Sequence, residues 1–211
     1  MHKSIILFDL DGTLIDSLQD LTNAINYTRR CFSLLEHSVP DVKLFIGDGL
    51  LKLIQRAFAD LPPQIDIQQP LQVYREYYLQ HLLDHTCPYP GVLETLPLLA
   101  QQRLLGVVTN KPQQEAMQIC TRLGLAEYFA VIIGGDTAAN IKPHPAQLLL
   151  ALQQTGAVRE GSWMVGDHYT DLAAAAAARF RACFCAYGLG QKRQEYADLS
   201  INRFPELLQL L

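Results

Sequence analysis

Ser4-Ile5-Ile6-Leu7-Phe8-Asp9-Leu10-Asp11-Gly12-Thr13-Leu14 is the stretch that decides how this chain folds. An apolar, β-favouring run leads straight into two acids at i and i+2, then a glycine and a threonine. A short unbroken apolar run closed by glycine predicts a strand buried on both faces, the pattern of a parallel sheet. Open parallel sheets bind ligands outside the carboxyl ends of their strands, which is where Asp9 and Asp11 fall. Two carboxylates side by side repel each other unless a cation sits between them or one keeps a proton. Such a pair can serve a divalent metal, a nucleophile or an acid. Asp-Gly between apolar runs also signals a hairpin, but Leu14-Ile15-Asp16-Ser17-Leu18 turns helical instead of alternating. An EF-hand loop needs an acid or amide at its fifth position and glycine at its sixth; counted from Asp9, these are Thr13 and Leu14.

The 211 residues suffice for one large domain, or for one domain carrying an insertion. Hydrophobic residues make up 49% and charged residues 18%, a globular composition. A net charge of −4 provides no basic field for a polyanion, so nucleic acid is not an expected partner. No stretch reaches the roughly 18 apolar residues that span a bilayer, so no membrane is expected either. The N-terminal run is too short for a signal peptide and is broken by Asp9. Cys31, Cys87, Cys120, Cys183 and Cys185 show no metal-binding spacing, and Cys183 and Cys185 read as core thiols on a strand. An odd cysteine count without an export signal fits a reducing, cytoplasmic location.

From about Pro90 onward strand and helix alternate. Leu104-Leu105-Gly106-Val107-Val108, Val131–Ile133, Trp163–Val165 and Ala182–Ala186 read as strands. Glu115–Leu123, Pro145 to about Gln154, the alanine-rich Asp171–Phe180 and Phe204–Leu211 read as helices. The alternation predicts an α/β fold, a doubly wound parallel sheet with a Rossmann-like core. The first crossover breaks the rhythm, because Phe8 to Leu104 is far longer than the ~30 residues of a βαβ unit. Its pattern is helical, with Leu50, Leu53, Ile54, Ala57 and Phe58 on one face. Pro62-Pro63 and Pro70 punctuate it, and Cys87-Pro88-Tyr89-Pro90-Gly91 looks like a return hinge. The expected division is a core of residues 1–15 and 89–211 with an inserted helical cap of residues 16–88.

Three more strand ends carry polar residues: Thr109-Asn110-Lys111-Pro112, then Gly134-Gly135-Asp136-Thr137 with Lys142-Pro143, then Gly166-Asp167 through Asp171. Each alone has a structural explanation. Thr109–Pro112 is a plausible turn, Lys142 a solvated loop lysine, and Asp171 a favourable acid at a helix start. His144 and His168 read as structural. Together the explanations weaken, since four successive strands end in acids, a hydroxyl and an amide, a lysine, and acids again.

Asp9-Leu10-Asp11-Gly12-Thr13, Thr109, Lys142 and Gly166-Asp167 with Asp171 resemble, in order and spacing, the four-motif signature of the haloacid dehalogenase superfamily. The insertion falls between the first two motifs, as in members with a small helical cap. Val108–Pro112 and Gly134–Thr137 with Lys142-Pro143 and Pro145 further resemble the phosphoglycolate phosphatase branch. The likeness covers residues 4–14 and 90–211; within the cap it extends to little beyond Gly47-Asp48-Gly49-Leu50. It implies a Mg²⁺-dependent phosphomonoesterase acting through an aspartyl-phosphate on a small phosphorylated metabolite, with 2-phosphoglycolate leading. Asp9 would be the nucleophile, and Asp11 would protonate the leaving oxygen and then activate water. Asp9, the backbone carbonyl of Asp11 and Asp167 would hold Mg²⁺. Thr109, Asn110 and Lys142 would bind the transferring phosphoryl group, and Asp171 would orient Lys142 or a metal-bound water.

A response-regulator receiver domain uses similar residues for signalling, but its acceptor Asp sits on a later strand and it needs no such insert. Hydrolytic dehalogenases lack the second acid and the metal. Phosphonoacetaldehyde hydrolases also lack the second acid and use a cap lysine, for which only Lys43 and Lys52 are present. A sugar-phosphate mutase of the β-phosphoglucomutase kind keeps both acids and stays open. Gly47-Asp48-Gly49 reads as a flexible loop opening a helix Leu50–Asp60, with Lys52 and Arg56 one turn apart on one face. The expectation is that Gly47 and Gly49 let the loop reach over Asp9 while Lys52 and Arg56 grip the substrate. Monomer and homodimer are both open.

Overall fold

The computed structural model describes residues 3–210. Its strands are β1 (Ser4–Phe8), β2 (Ile15–Asp16), β3 (Cys87–Pro88), β4 (Leu104–Val108), β5 (Val131–Ile133), β6 (Val158–Gly166), β7 (Arg181–Cys185) and β8 (Leu199–Ile201). Six of them form one parallel sheet in the order β5-β4-β1-β6-β7-β8. Ile5, Ile6, Leu7 and Phe8 are completely buried, as the unbroken apolar run predicts. Ile5 and Leu7 pack with Met164, Leu172 and Ala175 on one side of the sheet. Ile6 and Phe8 pack with Val92, Leu96 and Ile119 on the other. The strand order reverses at β1, one half running out through β4 and β5 and the other through β6, β7 and β8. That reversal opens a crevice beyond the carboxyl ends of the strands, with Asp9 at its centre.

The helices are α1 (Leu18–Cys31), α2 (Val39–Lys43), α3 (Leu50–Ala57), α4 (Gln68–Gln80), α5 (Val92–Gln102), α6 (Gln113–Arg122), α7 (Ala146–Thr155), α8 (Tyr169–Ala178) and α9 (Leu207–Leu210). Ala174, Ala175 and Ala178 of α8 are buried, and their small side chains let the helix lie close to the sheet. Helices α1 to α4 make up the inserted cap. Arg29 of α1, almost wholly buried, reaches Asp60 beyond α3 with two hydrogen bonds of 2.8 and 2.7 Å. Asp20, also buried, accepts from the amides of His85 and Thr86 and from the Thr86 hydroxyl, and so fastens the segment that returns to the core.

Several details differ from expectation, each for a local reason. Ile15-Asp16 does not start a helix; it pairs antiparallel with Cys87-Pro88, so the two connections to the cap run side by side. Strand β6 begins at Val158, five residues before Trp163, because Arg159-Glu160-Gly161 carries no apolar run to announce it. The edge strand β8, three residues long, is equally silent. Pro70 lies in the first turn of α4, where a missing N–H costs nothing, so it does not interrupt the helix. Helix α3 ends at Ala57, short of Asp60. The closing helix is a 3-10 turn over Phe204–Glu206 followed by α9, and Leu211 lies outside the described residues.

Candidate active site

Asp9 leaves the carboxyl end of β1, its amide still donating to the Val165 carbonyl at 2.9 Å. Its Oδ1 accepts from the Leu10 amide at 2.7 Å and lies 3.0 Å from Lys142 Nζ. Lys142 has no exposed side-chain surface; Nζ also donates to Asp171 Oδ1 at 2.6 Å and to the Val108 carbonyl at 2.7 Å. Burial pulls the Lys142 ammonium down, but the Asp171 and Asp9 carboxylates outweigh it and hold it above the usual lysine value. Far from being a solvated loop residue, Lys142 is a buried cation that pairs with Asp9 and Asp171. The second oxygen of Asp171 caps the start of α8 by accepting from the His168 amide at 2.9 Å, which begins the helix two residues earlier than the sequence indicates.

Asp167, at the end of β6, accepts from the Thr13 hydroxyl (3.1 Å) and from the amides of Leu189 (2.9 Å) and Gly190 (2.7 Å). The fit depends on Gly12: at φ +82° it has the left-handed backbone glycine favours, and a Cβ there would stand 2.1 Å from an Asp167 oxygen. Burial first, then the Asp171 and Asp9 charges, push Asp167 up to about 8. Burial pushes Asp9 up to about 6 against the pull of Lys142. One carboxylate oxygen from each of Asp9, Asp167 and Asp171 lies within 4.8 Å of the others. Fully ionised, these three acids share a single ammonium, which leaves two negative charges for a divalent cation to neutralise. The donors are hard oxygens of the kind Mg²⁺ takes, so the site fits that ion.

Asp11 lies outside this cluster of three acids. Its oxygens accept from Ser17 Oγ at 2.6 Å and from Lys111 Nζ at 3.0 Å each. Thr109 is buried, its hydroxyl accepting from the Lys111 amide at 3.2 Å. The Asn110 side chain is consumed by backbone: it donates to the carbonyls of Gly47 (3.0 Å) and Lys142 (2.9 Å) and accepts from the Lys142 amide (2.9 Å). It therefore braces the cap loop and the Lys142 loop, and a phosphoryl contact through its side chain is not what the geometry favours. His168 also lines the cavity; burial pushes it down to about 4, and its Nδ1 is bonded to the Thr170 hydroxyl at 3.0 Å.

Asp9, Asp11, Thr109 and Asp167 line a cavity of about 60 Å³ whose lining also includes Gly47, Gly49, Leu50 and Leu53 of the cap. By the measure in which one water needs about 10–15 Å³, it holds a small ligand. The loop before α3 is docked on the core: Tyr169 donates to Asp48 at 2.6 Å, and Asn110 holds Gly47. Gly47, at φ +111°, passes so close to His168 that a Cβ would lie 2.6 Å from the ring.

The two cap cations do not face the cavity. Leu53, Ile54 and Ala57 turn inward, which leaves Lys52 on the exposed face of α3. Arg56 pairs with Asp48 at 2.5 Å and donates to the Phe45 carbonyl at 3.0 Å, so it fastens the loop from behind. Lys111, Tyr74, Tyr78 and Glu115 line the cavity instead. Lys111 stood next to Thr109 and Asn110 at a strand end, a usable signal; nothing in the sequence pointed to the tyrosines or to Glu115.

The haloacid dehalogenase-like hydrolase pattern matches residues 6–185, from within β1 to the end of β7, with helices α1 to α4 included. The chain belongs to that family. Among its relatives, the phosphoglycolate phosphatase of Chromobacterium violaceum is 38% identical, over 100% of this chain and 97% of its own. That of Aquifex aeolicus is 32% identical over 98% and 96%. The crystal structure of a predicted phosphoglycolate phosphatase from Haemophilus somnus 129PT superposes with a TM-score of 0.91 at 31% identity, covering 100% of this chain and 98% of that one. The haloacid dehalogenase-like fold thus includes the helical insertion as well as the sheet.

Proposed function

We propose that this phosphatase hydrolyses small phosphomonoesters, 2-phosphoglycolate foremost, through a phosphorylated Asp9. The observation that carries the reading is the placement of Asp9, buried and 3.0 Å from the Lys142 ammonium, in the same small cavity as Asp11. An Asp9 oxygen attacks phosphorus. The bond from phosphorus to the leaving oxygen breaks, its electron pair goes to that oxygen, and Asp11 supplies the proton. Water then attacks the phosphorylated Asp9 and gives its proton to Asp11, and the bond from phosphorus to Asp9 breaks to release phosphate. Splitting the reaction in two avoids one difficult step, and a positioned acid–base typically contributes ~10²–10⁴-fold.

Lys142 balances the negative charge that gathers on Asp9 and the transferring group, and Asp171 keeps it aimed. The Thr109 hydroxyl and neighbouring amides hold phosphoryl oxygens. Asp9, Asp167 and the Asp11 carbonyl would hold Mg²⁺, with Asp171 behind them on Lys142. When bound, the ion supplies charge stabilisation and helps orient the phosphoryl group. The docked cap loop keeps bulk water from the reacting atoms. The names of the full-length relatives support the substrate. The test is phosphate release with Mg²⁺ from 2-phosphoglycolate set against hexose phosphates. A kcat/KM at least tenfold higher for 2-phosphoglycolate is expected, and preference for a hexose phosphate would overturn the substrate assignment.

A further inference from the structure

Both oxygens of Asp11 lie 3.0 Å from Lys111 Nζ, and Lys111 in turn donates to the Tyr78 hydroxyl at 2.8 Å. The ammonium also stands 4.8 Å from the centre of the Tyr78 ring. Tyr78 is 2% exposed and the Lys111 side chain 4%, so little water competes for these bonds. Asp11 and Lys111 follow the core strands β1 and β4, whereas Tyr78 sits on α4 of the cap. Ser17, on the connection into α1, holds Asp11 from the other side at 2.6 Å. A lysine stem loses rotamer freedom when it is fixed. Two partners, a carboxylate in the core and a phenol on the cap, are what fix this one.

We infer that Tyr78 and Lys111 are positioning residues that couple cap closure to the placement of Asp11, so that its proton is delivered properly only when α4 stands over the cavity. The inference rests on the reading of Asp11 as the acid–base. In the first step the electron pair of the breaking bond goes to the leaving oxygen. An alkoxide needs a proton at that moment, whereas p-nitrophenolate leaves without one. Misplacing Asp11 therefore shows in the first case and not in the second, and loss of the fold shows in both.

Tyr78→Phe keeps the ring and removes the acceptor; Lys111→Met removes the cation. Each is compared with the wild type in Mg²⁺ on p-nitrophenyl phosphate and on an alkyl phosphomonoester that the wild type turns over, 2-phosphoglycolate or, failing that, glycerol 2-phosphate. The reading is kcat/KM, because hydrolysis of phosphorylated Asp9 needs Asp11 whatever the leaving group. Tyr78→Phe should lower kcat/KM for the alkyl ester by about tenfold, a fraction of the full acid–base contribution, and leave p-nitrophenyl phosphate within about twofold. Lys111→Met should act in the same direction and further. Equal losses on both esters, or none on either, would overturn the coupling. Asp11→Asn measured alongside locates the failure: if it discriminates between the esters and the two variants do not, the coupling alone falls. If Asp11→Asn does not discriminate, the acid role falls and the coupling with it.

Discussion

The Lys142 ammonium lies 3.0 Å from Asp9 Oδ1 with none of its side chain exposed, and it is the only cation within 4.0 Å of Asp9 among the described residues. Removing it would leave the Asp9 and Asp171 carboxylates buried without a counter-charge. Lys142→Met is expected to lower kcat by about 10²–10³-fold, the scale of losing one electrostatic donor from a reacting site. Breaking a buried pair typically costs about 3–5 kcal/mol, so urea denaturation should show a loss of that order. Turnover near wild type would show that Lys142 does not stabilise the transferring group.

The acid cluster gives metal-linked stability a defined pH dependence. Asp9 is pushed up to about 6 and Asp167 up to about 8 from an ordinary 3.8, in both cases chiefly by burial. A carboxyl raised by folding contributes stability that is complete below its unfolded value and is lost as pH rises through its folded value. The metal-free protein should thus lose this contribution between about pH 4 and pH 8. Mg²⁺ requires the ionised carboxylates, so it should raise Tm more at pH 8 than at pH 6. Asp167→Asn should abolish most of the difference. An equal Mg²⁺ shift at both pH values, measured by thermal melts with and without chelator, would contradict this account.

Arg56 and Lys52 separate loop docking from substrate contact. Arg56 fastens Asp48, which Tyr169 ties to the core, whereas Lys52 is exposed. Arg56→Ala should lower kcat/KM for 2-phosphoglycolate and for p-nitrophenyl phosphate by similar factors, a few-fold to about tenfold, because cap closure serves both. Lys52→Ala should change neither. A loss confined to 2-phosphoglycolate in either variant would return that residue to direct substrate recognition.

What the sequence made legible was mostly what strands dictate. Runs such as Ser4–Phe8 and Leu104–Val108 are buried on both faces, so their ends, and with them Asp9, Thr109, Lys142, Asp167 and Asp171, could be placed on one sheet edge before any coordinates. The cap obscured the remainder. Lys111 meets Asp11 across 100 residues of sequence and Tyr78 across 33, and periodicity carries no trace of either contact. The helical spacing of Lys52 and Arg56 was real, but which face of α3 meets the cavity was decided by burial of Leu53, Ile54 and Ala57. Asn110 was chemically suited to hold phosphoryl oxygens, yet tertiary contacts commit its side chain to backbone groups of Gly47 and Lys142.

The central claim, that phosphate passes through Asp9, is tested most directly by trapping it there. Asp11→Asn preserves Asp9, Lys142 and Asp167 but removes the group that activates water. Incubated with Mg²⁺ and acetyl phosphate, whose leaving group needs no proton, it should accumulate a phosphorylated protein. Peptide mass spectrometry is expected to place the phosphate on Asp9, and the Asp9→Asn, Asp11→Asn double variant should carry none. Phosphate on any other residue, or undiminished turnover by Asp9→Asn alone, would contradict the account.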